Sequence, residues 1–318
     1  MKTELAAALV EGQRVDTVFS LRTRELRSTR YGEAYLSLEF ADRSGAIGGV
    51  MFKPTHEAES IPAGTVVHVR GVVTAYRGVK RVSVEDMRPA ERYEIADLLP
   101  RSPRERKQAV KQLRALADSI RDAALARLVK AVFGDAAFFR AFAALPASVA
   151  DHRVYVGGLL EHTVAVASAC RACVEQYPDA DADLLLAGAL LHDIGIVDSI
   201  RLGSGFEQTT EGRLLGHPIL GERRVASACE RLTGSVDRER MTHLAHLVLS
   251  HHGDDGGWLA PCSLEALVLS RVDALDRDAS SFTAAVRGAL RVEEEWTDSG
   301  NRFGRPLYAA AGARARSA

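Results

Sequence analysis

Seven residues in the second half of the chain are of types that could do chemistry together. They are His162 in GGLLEHT, His192-Asp193 in LLHDIG, His217 in LLGHP, His251-His252 in SHHG and Asp273 in SRVDALD. Each sits in, or at the end of, an apolar segment whose spacing predicts helix. Buried imidazoles and carboxylates are costly without partners, and a shared metal centre would partner all of them at once. His192-Asp193 ends the run ADLLLAGALLHDIG, with Gly195 as the stop signal. Adjacent His and Asp at a helix end can turn toward one point, where the carboxylate can bridge two cations and the imidazole can bind one. His251-His252 ends a second apolar helix before Gly253. His162 and Asp273 fall within helices, and inward His and carboxylate side chains in a bundle core are a common way to build a two-metal site.

Several imidazoles with few carboxylates favour a divalent transition metal over Mg²⁺ alone. Mn²⁺ is the first choice, with Fe²⁺, Co²⁺ and Zn²⁺ as alternatives. Two such ions can lower the pKa of a shared water, hold a phosphoryl oxygen and stabilise a leaving oxygen. The expected chemistry is metal-dependent hydrolysis. The lone histidines His243 and His246 read as structural, and Asp276 as structural or as a support one turn beyond Asp273.

The elements that must position these residues occupy about two domains, the soft expectation for 318 residues. Residues 11–92 read as β: Val15, Thr17, Phe19 and Leu21 alternate with polar positions, as do Leu36, Leu38 and Phe40. Asp42-Arg43-Ser44-Gly45 is a turn before a strand over 47–52, and a hairpin turns around Tyr76-Arg77-Gly78. Five short strands fit a small closed barrel of the OB type, with an SH3-like barrel as the alternative. Residues 93–107 read as a linker and 108–294 as a helical bundle, with helices over 108–131, 135–144, 158–177, 181–194, 211–233, 238–250 and 263–290. Residues 295–318 read as a fraying tail. Between Arg101 and Lys130, nine Lys/Arg face three Asp/Glu, either a solvated helix face or a stripe that guides a polyanion.

Composition excludes some classes. Hydrophobic content is 47% and charged content 26%, ordinary for a globular chain. The net charge of −1 leaves no global field for nucleic acid, so such binding needs a local patch. MKTELAAALVEGQ reads as neither signal peptide nor membrane span, and a cytoplasmic location with no membrane partner is the default expectation. Cys170-x-x-Cys173 lies in a helical pattern without a second CxxC and reads as two small buried residues.

The set His162, His192-Asp193 and Asp273 resembles the HD-domain metal-dependent phosphohydrolase superfamily. HRVYVGGLLEHT, LAGALLHDIG, TTEGRLLGHPILG and LVLSHHG, behind an OB-like barrel, narrow the resemblance to the YhaM type of 3′→5′ exoribonuclease. It spans about residues 11–290. It implies an all-β OB-like barrel followed by an all-α HD-domain bundle. It implies His162, His192, Asp193 and Asp273 around a first ion, with His217, His251 and His252 around a second and Asp193 bridging. The reaction is then expected to centre on Asp193, His217 and His251, with His152 as a substrate contact. One departure stands out: the family commonly has Lys after HDIG, and this chain has Ile196, so either another cation serves, Arg213 by expectation, or turnover is slower or the substrate different. The resemblance also allows a homo-oligomer.

OB barrels hold single strands with a basic groove and aromatic platforms. Tyr76, Arg77, Lys80 and Arg81 offer both at the hairpin, Tyr35 is a second platform, and Arg22, Arg24, Arg27 and Arg30 add charge. The expected activity is therefore a metal-dependent 3′→5′ exonuclease on single-stranded RNA or DNA that releases nucleoside 5′-monophosphates. A phosphohydrolase of free or cyclic nucleotides is the alternative, and a single-strand-binding module with a degenerate HD centre the third reading.

Overall fold

The computed structural model describes residues 2–29, 31–76, 78–99, 106–149, 152–203, 205–232, 237–253, 259–289 and 295–309. The chain divides into two compact units near residue 103, with residues 202–207 grouped with the first.

The first unit holds β1 (Arg14–Ser28), β2 (Ala34–Asp42), β3 (Gly45–Phe52), a one-turn helix α1 (His56–Ser60), β4 (Val66–Tyr76) and β5 (Val79–Pro89). They close into a barrel in the order β1-β2-β3-β5-β4. The 15-residue β1 serves two neighbours, pairing with β4 through Arg14–Ser20 and with β2 through Ser20–Ser28. Parallel pairing of β3 with β5 completes the closure and gives an OB fold. Alternation drives this: Leu36, Leu38 and Phe40 turn inward and meet Phe19, Val69 and Val82 in one core. The Phe19 and Phe40 rings stack at 5.6 Å. The segment expected as a linker begins with α2 (Ile95–Leu98), tied to the barrel by the 3.1 Å Arg43–Asp97 ion pair. Residues 100–105 of that segment lie outside the described residues.

The second unit is helical: α3 (Arg106–Asp118), α4 (Ala123–Gly134), α5 (Ala136–Phe142), α6 (Gly158–Val174), α7 (Ala182–Leu191) and the short α8 (Ile196–Ser199). Next in the chain come two short strands, β6 (Ile200–Leu202) and β7 (Phe206–Gln208), which include residues of the 202–207 segment grouped with the first unit; α9 (Thr210–Glu230), α10 (Arg238–Ser250) and α11 (Leu264–Ala289) then complete the second. The single helix expected over 108–131 is two, because Asp122 caps α4 by accepting from the Ala124 and Leu125 N–H groups. Asp183 accepts from the N–H groups of Arg121 and Asp122 and holds the break. Leu184–Leu191 of α7 are all buried, as befits the central helix of a bundle. The tail does not fray as expected over its described part. Trp296 bridges to Tyr308, and Leu307 and Ala309 are buried against Val286.

Among the described residues, no helix is long and apolar enough to cross a membrane.

Candidate metal centre and barrel surface

Five helices or helix ends of the second unit deliver the His/Asp series to one point. His162 projects from the second turn of α6, and His192 is the C-cap of α7 with Asp193 directly after it. His251 caps α10, His252 follows, and Asp273 lies on α11. His217 reaches the cluster because Gly216, at φ 76°, kinks α9 immediately before it. Pro218 is tolerated there because the helix restarts at the kink. Gly195 lets the HDIG turn lie flat on α9: a Cβ there would collide with the His217 carbonyl oxygen and the Gly221 nitrogen.

His162, His192, Asp193, His251 and Asp273 are buried, while His217 and His252 retain 23% and 26% side-chain exposure at the mouth. Asp193 divides its carboxylate. Oδ2 lies 3.3 Å from His162 Nε2 and 3.4 Å from His192 Nε2, and Oδ1 lies 3.1 Å from His217 Nε2 and 3.4 Å from His251 Nε2. Asp273 Oδ1 is 3.0 Å from His162 Nε2, and His252 Nε2 is 3.0 Å from His217 Nε2. Two candidate ligand groups result, His162–His192–Asp193 and His217–His251–His252, each with ligand atoms within 4.8 Å of one another.

The donor set fits divalent cations. His192 Nδ1 donates to the Ala189 carbonyl at 2.9 Å and His251 Nδ1 to that of Val248 at 2.7 Å, so both present Nε2 lone pairs to the cluster. His162 Nδ1 faces Asp276 Oδ2 at 2.7 Å and turns its Nε2 inward in the same way. Lone pairs of His162 and His192 then confront each other at 3.2 Å, an arrangement that a cation reconciles. Asp273 Oδ2 is buried and makes no hydrogen bond.

The electrostatics agree. Burial works against a proton on His162, yet Asp193, Asp273 and Asp276 outweigh it and raise its pKa well above the usual value. Burial likewise opposes the Asp193 charge, but His192, His162 and His217 hold its pKa well below the carboxylate range. That end of the cluster calls for positive charge. At the other end burial keeps His251 neutral, and burial with the neighbouring imidazoles pushes His252 down to about 2. Neutral imidazoles are what a metal needs.

Asp276, expected as structural or a support, supports His162, and its partners Arg153, Tyr155 and Glu161 were not singled out from the sequence. Arg153 grips Asp276 through Nε at 3.0 Å and Nη2 at 2.7 Å, and its Nη1 lies 3.2 Å from Glu161 Oε2. Tyr155 donates to the same Glu161 oxygen at 2.8 Å. Arg153 sits at φ 46°, rare for a non-glycine residue. The string HRVYVGGLLEHT contains three of these four residues close to His162, but Asp276 is 123 positions from Arg153, so only folding reveals the pair.

A cavity of about 210 Å³ opens on the cluster; His152, Ile196, Arg277, Asp193, His217, His252 and Asp273 are among its lining residues. His152 packs edge-on against His162, with ring centroids 5.0 Å apart. Arg213, expected as the substitute cation, is exposed on α9 and is not among the lining residues. Arg277, four residues after Asp273, lines the cavity and was not singled out from the sequence; its helical spacing was the available signal.

On the barrel, Tyr76 is 53% exposed and carries the Arg81 guanidinium 4.5 Å above its ring. Tyr35 pairs across the sheet with Phe52, ring centroids 5.8 Å apart; Phe52, 51% exposed, is a further platform that alternation in β3 could have flagged. Lys80 is tied down, its Nζ donating to the Leu9 carbonyl at 2.8 Å. Arg27 pairs with Glu25 and Arg22 approaches Glu39, so these acids offset the expected basic strip. Arg30 and Arg77 lie outside the described residues.

Known proteins share both halves. A profile described as HD domain matches residues 159–278, and one described as OB-fold nucleic acid binding domain matches 17–90. The 3′-5′ exoribonuclease YhaM of Bacillus velezensis is 31% identical over 83% of this chain and 85% of that one. The same-named protein of Bacillus licheniformis is 29% identical over 93% and 96%. Among solved structures, a replication protein A heterotrimer bound to single-stranded DNA matches 26% of this chain and 60% of that one, at 21% identity and a TM-score of 0.22. With its HD-type cluster, its OB barrel and this breadth of identity, the chain belongs to the YhaM family of 3′-5′ exoribonucleases.

Proposed function

We propose that this protein hydrolyses single-stranded RNA, or DNA, from the 3′ end and releases nucleoside 5′-monophosphates. The observation that carries the reading is the divided Asp193 carboxylate, with one set of imidazoles at each oxygen. In this proposal His162, His192, Asp193 and Asp273 would hold one divalent ion, and His217, His251 and His252, with Asp193, would hold a second. Mn²⁺ suits the mixed nitrogen and oxygen donors, with Fe²⁺, Co²⁺ and Zn²⁺ as alternatives. Such a pair supplies an acidified water and a clamp on the phosphoryl oxygens.

The protein side chains do the remaining work. Ala189 and Val248 carbonyls orient His192 and His251, and Asp276 orients His162. Burial of Asp193 and Asp273 strengthens every charge interaction in the cavity. His152 and the apolar wall at Ile196 shape the space for the terminal nucleotide. Tyr76, Tyr35 and Arg81 hold the strand by stacking and charge, a mode that tolerates any sequence.

The test is a time course on 5′-labelled single-stranded RNA with Mn²⁺, comparing wild type with His192→Ala/Asp193→Ala. A ladder shortening from the 3′ end and absent in the variant is expected. RNA left intact by wild type, with free nucleotides turned over instead, would replace this reading by a nucleotide phosphohydrolase.

A further inference from the structure

The cavity over the His/Asp cluster is walled on several sides by uncharged residues, among them Ala147, Val149, Ile196 and Ile200. A phosphodiester brings negative charge into it, and more charge develops on the phosphoryl and leaving oxygens during cleavage. Fixed donors aimed at such charge give the largest single effects in catalysis. Among the described lining residues, Arg277 is the sole arginine or lysine. Its side chain is 16% exposed, and its Nε lies 3.1 Å from Asp273 Oδ2. That contact is close in distance but unaligned: neither Arg277 Nε nor Asp273 Oδ2 makes a hydrogen bond. Arg277 is thus paired with Asp273 by charge through Nε without a hydrogen bond, and its planar fork suits two oxygens of one phosphate.

We propose that Arg277 is a catalytic residue of this chain, binding the non-bridging oxygens of the scissile phosphate beside the metal cluster. The assignment rests on the phosphodiesterase reading above. Arginine stays charged at all working pH values, so it neutralises the phosphate but passes no proton to the leaving 3′-oxygen; that proton comes from water.

The test uses the full chain loaded with Mn²⁺, as wild type, Arg277→Met, Arg277→Lys and Arg277→Met/Ile196→Lys. Metal content and melting temperature are measured first, then affinity for inorganic phosphate by calorimetry, then kcat and KM on single-stranded RNA. Arg277→Met should keep its metal, bind phosphate about tenfold or more weakly and lose roughly 10²- to 10³-fold in kcat, the scale for removing one such donor. Arg277→Lys should recover part of the loss. Lysine at 196 lines the same cavity and should restore about tenfold in the double variant, which a merely structural role for Arg277 would not permit.

Loss of metal in Arg277→Met would overturn the assignment and make Arg277 a positioning residue acting through Asp273. Unchanged phosphate affinity would overturn it as well. Should Arg277→Met fold poorly, Arg277→Lys keeps the charge without the fork and must still weaken phosphate binding severalfold. If wild type leaves RNA intact yet binds phosphate in an Arg277-dependent way, the nuclease reading falls, the catalytic role of Arg277 in it falls too, and Arg277 is left as a phosphate-binding residue only.

Discussion

Asp276 Oδ2 lies 2.7 Å from His162 Nδ1, and this contact decides which ring nitrogen of His162 faces the cluster. Arg153 holds the carboxylate in place from the other side; burial opposes the Asp276 charge, but the hydrogen bonds from His162 and Arg153 outweigh it and bring its pKa down to about 2. Outer partners of this kind are worth about 10- to 100-fold in metal affinity. Asp276→Ala should therefore weaken Mn²⁺ binding by that factor in calorimetry on chelator-stripped protein, while the fold survives. Equal affinities in the two proteins would remove Asp276 from the account of the site.

The HDIG turn and α9 touch backbone to backbone at Gly195 and His217. An alanine methyl has no room, so α9 must move and take His217 with it. Overpacking of this sort costs about 1–3 kcal/mol. Gly195→Ala should lower the melting temperature by several degrees and reduce bound metal on the His217 side. Mass spectrometry of the intact protein under native conditions would count the ions, and wild-type stoichiometry would refute the coupling.

Tyr76 and Lys80 are neighbours on the barrel hairpin but differ in what they do. Tyr76 is exposed with Arg81 on one ring face, whereas Lys80 is committed to the Leu9 carbonyl. A stacked base contributes about 1–3 kcal/mol, so Tyr76→Ala should weaken single-stranded RNA binding roughly five- to hundredfold with little change in melting. Lys80→Ala should do the reverse. Fluorescence anisotropy with chelator-treated protein separates the two, and an indifferent Tyr76→Ala would move the binding face elsewhere.

Asp42 and Lys2 set the acid limit of the barrel. Their side chains are 0% and 3% exposed and meet at 2.7 Å. Burial opposes the Asp42 charge, but Lys2, the Ser44 hydroxyl and N–H, and the Ala6 N–H outweigh it and lower its pKa. Burial pulls Lys2 down against the attraction of Asp42, so the carboxylate, with four donors, is the better supported charge. A folded-state value below the unfolded one means the stabilisation is full above about pH 4 and fades as pH falls through the folded value. Asp42→Asn leaves the buried Lys2 charge without its carboxylate, with the Val18 carbonyl still accepting from Nζ, and should cost about 3–5 kcal/mol near neutrality. In denaturant titrations the gap between the two proteins should narrow from pH 5 toward pH 3. A gap constant with pH would exclude Asp42 as the titrating group.

The sequence alone determined that this chain has a β half, a helical half and a buried His/Asp series fit for metal. The physical reason is local. Alternation in Leu36, Leu38 and Phe40 specifies a half-buried strand, and charged groups such as His192-Asp193 inside an apolar run demand a partner. The tertiary structure decided the rest, because those features depend on side chains that meet across the fold. It divided the oxygens of Asp193 between two imidazole sets, joined Arg153 to Asp276 across 123 positions and put Arg277 rather than Arg213 at the cavity wall. Spacing along a helix states which residues share a face; only the packing of α6, α7, α9, α10 and α11 states which faces converge.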